Sequence, residues 1–315
     1  MKWDVMISNN NKTIRKEEKA MKKSLVATAV AGTMLFAGTA FAQPFWVGGL
    51  FNEDTASFVS DIHNLDWASS GSGLAVGLAT GGQPSQTKFL DAFNNQTPLT
   101  FKYQAFLQGV SDINGNSVLF PGLNTNFEYT IVAEFQERVS SFTPIGTAGA
   151  ALFETIGGQA YIFYDPTPNA VVGSGFGFDD GQLVAGFDIR PGQISSFIAT
   201  SPTEGQGSAI LLGDIIAGTL DPTLITVDQF SGNEIIAIRY EGTQNYPPLD
   251  SATAAFFDGR AGEGEFAVNT VTSNDLLLKA DGSNKFTVVP EPSSVILMGM
   301  GLLGLAGFAR RKMKS

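Results

Sequence analysis

Asn126-Phe127-Glu128-Tyr129-Thr130-Ile131-Val132-Ala133-Glu134-Phe135-Gln136 is the stretch on which the fold class turns. Phe127, Tyr129, Ile131, Ala133 and Phe135 share one face, and Asn126, Glu128, Thr130, Glu134 and Gln136 make the other mostly polar. Period-two alternation of this kind marks a half-buried antiparallel strand. Residues 101–109 repeat it, with Phe101, Tyr103, Ala105 and Leu107 set against Lys102, Gln104 and Gln108. Shorter apolar runs at 160–164, 183–189, 209–216 and 235–240 predict more deeply buried strands. Asn114-Gly115, Gly232-Asn233 and Asp281-Gly282 predict turns, the last joining 276–279 to 285–288 as a hairpin. Only 86–93 reads as helical. Residues 68–83, rich in Gly and Ser, read as a mobile loop, with a boundary near 80–86 setting off a small N-terminal lobe. No repeat period suggests a solenoid or propeller. The expected architecture is all-β, one antiparallel β-sandwich over residues 43–289.

Composition narrows the setting. The chain has 315 residues and no cysteine, which excludes disulfides, iron–sulfur clusters and a cysteine nucleophile. A body this long buries an adequate core without such staples. Residues 43–289 carry 8 Lys and Arg against 26 Asp and Glu, a balance of −18. An exterior so acidic repels phosphate backbones and argues against nucleic acid. It suits a dispersed extracellular protein, one able to recruit divalent cations.

Both ends change character. At the N-terminus, Met21-Lys22-Lys23, an apolar segment from Leu25 to Phe36 and the small-residue pattern Ala40-Phe41-Ala42 before Gln43 predict a secretory signal peptide over 21–42, cleaved after Ala42. Export would use the Sec machinery. Residues 1–20 are polar and mixed in charge, with Asp4, Glu17 and Glu18 among lysines, and suit a leader extension or a mis-assigned start with Met21 as the true one.

At the C-terminus, Pro290 and Pro292 hold the chain extended around Glu291, following Val289. Ser293 and Ser294, an apolar run from Val295 to Ala309, and the cations Arg310, Arg311, Lys312 and Lys314 complete residues 290–315. A helix over 293–309 would be roughly 25 Å long, just short of a ~30 Å hydrocarbon core. It is expected to span the inner membrane, with the basic cluster as a cytoplasmic stop. Gly299-Met300-Gly301-Leu302-Leu303-Gly304 spells G-x-G-x-x-G, but only eleven residues follow it and none is acidic, so no dinucleotide unit is built around it.

This tail, Val289-Pro290-Glu291-Pro292 with its glycine-rich apolar segment and Arg310-Arg311-Lys312, resembles the PEP-CTERM sorting signal of Gram-negative bacteria. The resemblance covers less than a tenth of the chain. It implies an exosortase, a membrane-embedded cysteine protease resembling a transpeptidase, as processing partner. It also implies transient anchoring in the inner membrane, removal of the anchor, and delivery to the cell surface or the extracellular polysaccharide matrix. A plain membrane-anchored envelope protein is the alternative. Tyr161-Ile162-Phe163-Tyr164-Asp165-Pro166, the glycine-rich link after it, Asp179-Asp180-Gly181 and residues 205–213 are similar to flocculation-associated PEP-CTERM proteins. That similarity implies a role in biofilm or floc cohesion and no catalytic residues.

Catalytic chemistry finds little to build on. His63 is the only histidine, and no G-x-S-x-G elbow accompanies it; Gly173-Ser174-Gly175 lies in a segment, 172–178, that reads as a flexible link. Histidine-based zinc sites are excluded by count. Loop aspartates Asp165 and Asp179 are the candidates for a carbohydrate-active hydrolase. Asp179 and Asp180 more simply make a solvated turn, with calcium as a further reading. Asp112, Asn114 and Asn116 place oxygens at positions 1, 3 and 5 of a calcium-type loop, but Ser117 and Leu123 stand where Gly and Glu belong. Trp46, Trp67, Tyr161, Tyr164, Tyr240 and Tyr246 are the aromatics able to stack on sugars, with Tyr161 and Tyr164 in a run expected to be core and Tyr246, before Pro247-Pro248, expected to be exposed. The reading is a non-enzymatic protein without a required cofactor, calcium being the one candidate ion.

Overall fold

The computed structural model describes residues 48–145, 148–227, 235–246, 255–257 and 269–289. The signal peptide with Ala40, Ala42 and Gln43, Trp46, Gly232-Asn233, Pro247-Pro248 and the tail from Pro290 to Ser315 lie outside them. In chain order the strands are β1 (Gly48–Asn52), β2 (Ser57–Ile62), β3 (Asn64–Trp67), β4 (Gly71–Ala75) and the two-residue β5 (Ala79–Thr80) and β6 (Gln83–Pro84). Helix α1 (Gln86–Asn95) follows, the one helix among the described residues. Then come β7 (Leu99–Ser111), β8 (Ser117–Val118), β9 (Glu128–Ile145), β10 (Ala148–Asp165), β11 (Gln182–Ile189), β12 (Ile194–Ser201) and β13 (Glu204–Ile215). The last are β14 (Ile225–Val227), β15 (Ile235–Tyr246), β16 (Ala255–Phe256), β17 (Asn269–Thr270) and β18 (Leu276–Val289).

The all-β class holds, and the hydrogen-bond ladders correct the expected sandwich: they close on themselves. β7 pairs with β9 (Phe101 opposite Phe135) and β9 with β10 (Ile131 opposite Ile162). β11 and β12 lie in line along β10, covering Gly158 to Tyr164 and Gly149 to Glu154, and both pair with β13 on their other side. β13 pairs with β15, and β15 with β18. β18 pairs with β3 and β4, which lie in line along β7 and complete the ring. With β3/β4 and β11/β12 each taken as one broken stave, the ring has eight staves, all antiparallel and in sequence order. Alternation tells which residues face a core but not how the sheet ends. Closure removes the exposed edges that two open sheets would leave.

Two glycine-containing stretches differ from their sequence reading for one physical reason. Gly71 is buried in β4, where a Cβ would lie 2.7 Å from the Ala280 carbonyl oxygen and 2.9 Å from the Ala105 Cβ. Residues 68–83 are therefore partly a stave of the ring rather than a mobile loop, and no lobe separates at 80–86. Asp281-Gly282 is likewise no turn, because β18 passes through it unbroken. Gly282 faces Gly242 across the ladder, and the Tyr240 ring lies over both, within 2.6 Å of where either Cβ would sit. Asn114-Gly115 does form its predicted turn between β7 and β8.

The odd-numbered residues of β9 point into the ring, as their alternation predicts. Tyr129, Ile131 and Ala133 are buried with Trp67, Leu107 and Ile162. Toward one end Phe89 of α1 enters the interior, its ring parallel to Phe142 at 5.9 Å and to Phe197 at 6.1 Å. Toward the other, β1, β2 and β14 form a small sheet, fixed by the Tyr129 hydroxyl donating to the Phe51 carbonyl at 2.9 Å. Part of the outer wall is covered too. Phe178, Phe256 and Phe257 pack on Val132, Tyr161 and Phe163, so residues 172–178 are a packed cover rather than a flexible link. Gln104 bonds the backbone of Ala255 and Phe257, holding that cover down.

Candidate functional site

The sorting tail joins the body without a linker. In β18, Val288 and Val289 still pair with Ile236 and Ile235 of β15, and Pro290 follows at once. Proline has no backbone donor to offer such a ladder. β18 runs from the α1 end, where Leu276 and Leu278 pack with Phe89, to the end where Asn284 receives the Trp67 indole N–H. β18 thus reaches Val289 at the end of the ring remote from α1. No described helix is long and apolar enough to cross a membrane, and the helix expected over 293–309 lies outside the described residues.

The acidic loop residues sort into turns and covers. Asp112 accepts the backbone N–H groups of Asn114 and Asn116, both at 2.8 Å, and the Asn116 side-chain amide at 2.9 Å. These bonds hold its carboxyl below the usual range and commit it to the turn. Asp179 is fully buried, unlike the solvated turn expected of it. Asp165 and Asp180 share the Asn169 side-chain amide at 3.2 and 3.3 Å, and the backbone of Asn169 and Ala170 donates to Glu128 at 2.6 and 2.8 Å. Burial, reinforced by the charges of Asp165 and Asp180, raises the Glu128 carboxyl above its usual range despite those bonds. Among the described residues no three His, Asp or Glu side chains converge as a metal site. His63 is half-buried, its backbone N–H on Ser111, and burial together with Lys285 lowers its pKa.

The aromatics expected to meet sugars are engaged elsewhere. Trp67 and Tyr164 are in the interior, Tyr161 lies under the outer cover, and Tyr240 covers its two glycines. The Tyr246 hydroxyl donates to the Gly82 carbonyl at 3.0 Å and its ring packs near α1, so it is not the exposed platform its place before Pro247 suggested.

The ring holds a cavity of about 90 Å³ lined by Phe89, Ala133, Ala160 and Tyr240 among others. Its wall is mainly apolar. One acidic group lies in it: Glu137, on β9, only 1% exposed. Both its oxygens accept the Ser195 hydroxyl, at 3.0 and 2.9 Å, and one accepts the Thr155 hydroxyl at 3.1 Å. Burial pushes the carboxyl up to about 7, against the opposing pull of those hydroxyls. Glu137 was absent from the sequence-based candidates, though it extends the odd-numbered inward face of 127–135 by one step. Parity would have placed it in the core.

Body and tail together define a class first: an all-β ring whose final stave runs directly into a Pro-Glu-Pro tail. The particular assignment comes from comparison. Residues 288–312 match the PEP-CTERM protein-sorting motif, so the chain carries a PEP-CTERM sorting motif, which implies exosortase-dependent sorting to the cell surface or extracellular space. No curated protein and no solved structure matches the chain.

Proposed function

We propose that this chain is a non-enzymatic surface or matrix protein. In this reading the Sec machinery exports it, the 293–309 helix holds it briefly in the inner membrane, and exosortase processes it at Pro290-Glu291-Pro292. It then acts in biofilm or floc cohesion by associating with extracellular polysaccharide. The observation that carries this reading is the overlap at Val288 and Val289, where the last hydrogen-bonded stave runs into the matched motif. Every described stave lies at or before Val289, and in this reading the ring stays folded after the tail is lost. Its −18 balance over 43–289 makes cation bridges to anionic polysaccharide the favoured contact, each weak and many together. With the described aromatics engaged in packing, stacking on sugar rings is the lesser contribution.

The test is co-sedimentation of the exported protein with the organism's own matrix polysaccharide, with calcium and with a chelator. Calcium-dependent co-sedimentation is expected. Failure to co-sediment under both conditions removes the cohesion role and leaves a plain envelope protein. Turnover of the polymer, lost in Asp165→Asn or Asp179→Asn, would replace it with a hydrolase.

A further inference from the structure

Four methyl groups make the hollow. Ala133 on β9, Ala160 on β10, Ala209 on β13 and Ala280 on β18 face the cavity, and Ala133 and Ala160 sit directly opposite one another in their ladder. The same wall also carries Phe89, Phe153, Tyr103 and Tyr240, the last two in ring contact at 5.2 Å. At 10–15 Å³ for each water-sized group, the 90 Å³ of room corresponds to about six to nine such groups. Water is a poor occupant of an apolar chamber, because it needs two to four polar partners there. A strongly polar solute would forfeit its own hydrogen bonds on entry.

We propose that the interior of the ring binds one short straight-chain amphiphile, its alkyl chain along the alanine-lined wall and its hydroxyl head at Glu137 and Ser195. The chamber gives the chain its length limit. The Glu137 carboxyl and the Ser195 hydroxyl oxygen, already bonded to each other, leave acceptor oxygens in the wall for the head's O–H. A neutral hydroxyl suits this place better than a carboxylate, whose charge would be buried beside a second acidic group. This site is independent of the sorting tail and of any contact with polysaccharide.

The experiment is calorimetric titration of the protein, as cells export it, with 1-heptanol and with heptanoate near pH 8. Saturable binding of one heptanol per chain is expected, with heptanoate weaker by about tenfold or more. Ala160→Leu, which fills the chamber, is expected to weaken heptanol by about tenfold or more. Glu137→Gln, which keeps the side-chain shape and removes the acid, is expected to bring heptanoate to within about threefold of heptanol. Absence of saturable heptanol binding overturns the proposal. So does an Ala160→Leu affinity within twofold of the parent, or discrimination against heptanoate that survives Glu137→Gln. Should Ala160→Leu not fold, the Glu137→Gln comparison decides alone.

Discussion

At the scale of single residues, Glu137 is the group whose chemistry is most changed by folding. Its folded carboxyl keeps a proton up to about pH 7, whereas an unfolded one releases it near 4.5. Between those values the folded state binds more protons than the unfolded, so stability must fall as pH rises through that window and level off above it. A displacement of this size corresponds to about 3 kcal/mol. Urea unfolding at about pH 5 and pH 8 is expected to show that loss in the parent and to lack it in Glu137→Gln. The raised Glu128 carboxyl acts in the same direction in both proteins, so the difference between them isolates Glu137. Equal pH dependence in parent and variant would refute the assignment. The burial of Glu137 was implicit in the parity of β9, but charge argued for the surface. What keeps it inside is the pair of hydroxyls on Thr155 and Ser195, 18 and 58 residues away in sequence.

At the scale of elements, glycine explains the two misread stretches. Locally, Asp281-Gly282 and the Gly-rich 68–83 carry turn chemistry. In the fold those glycines clear space for a neighbour: the Tyr240 ring over Gly242 and Gly282, the Ala280 carbonyl beside Gly71. Nothing near Gly282 in sequence announces Tyr240, 42 positions earlier. Gly282→Val is therefore expected to destabilise by about 1–3 kcal/mol, as overpacking does. Tyr240→Ala should absorb a good part of that cost in the double variant, a non-additivity read by a denaturation cycle. Strict additivity would contradict the packing. Helix α1, by contrast, was legible from 86–93 alone, but its role was not. Its purchase on the ring is Phe89, held between Phe142 and Phe197. Phe89→Ala is expected to cost about 3–5 kcal/mol in denaturation, against near-neutrality if α1 merely lies on the surface.

At the scale of the whole molecule, the sandwich and the ring differ by one ladder. Alternation in β7 and β9 gives the same inward and outward faces for either. The ring is closed by Leu65 and Gly73 meeting Asn284 and Leu278, backbone pairs about two hundred positions apart that no local pattern encodes. The sorting motif was legible in the sequence, because its elements stand in fixed order at one end of the chain. The contact with polysaccharide, by contrast, rests on net charge, which belongs to the surface as a whole. The calcium-dependent co-sedimentation proposed above belongs at this scale.

What joins these scales is the proposal that a self-sufficient ring loses its tail after export. The most direct measurement is the intact mass of the protein recovered from the cell surface or medium. The account predicts a chain that begins at Gln43 and ends before the apolar run starting at Val295. A surface-recovered chain that still carries Arg310 through Ser315 would contradict it.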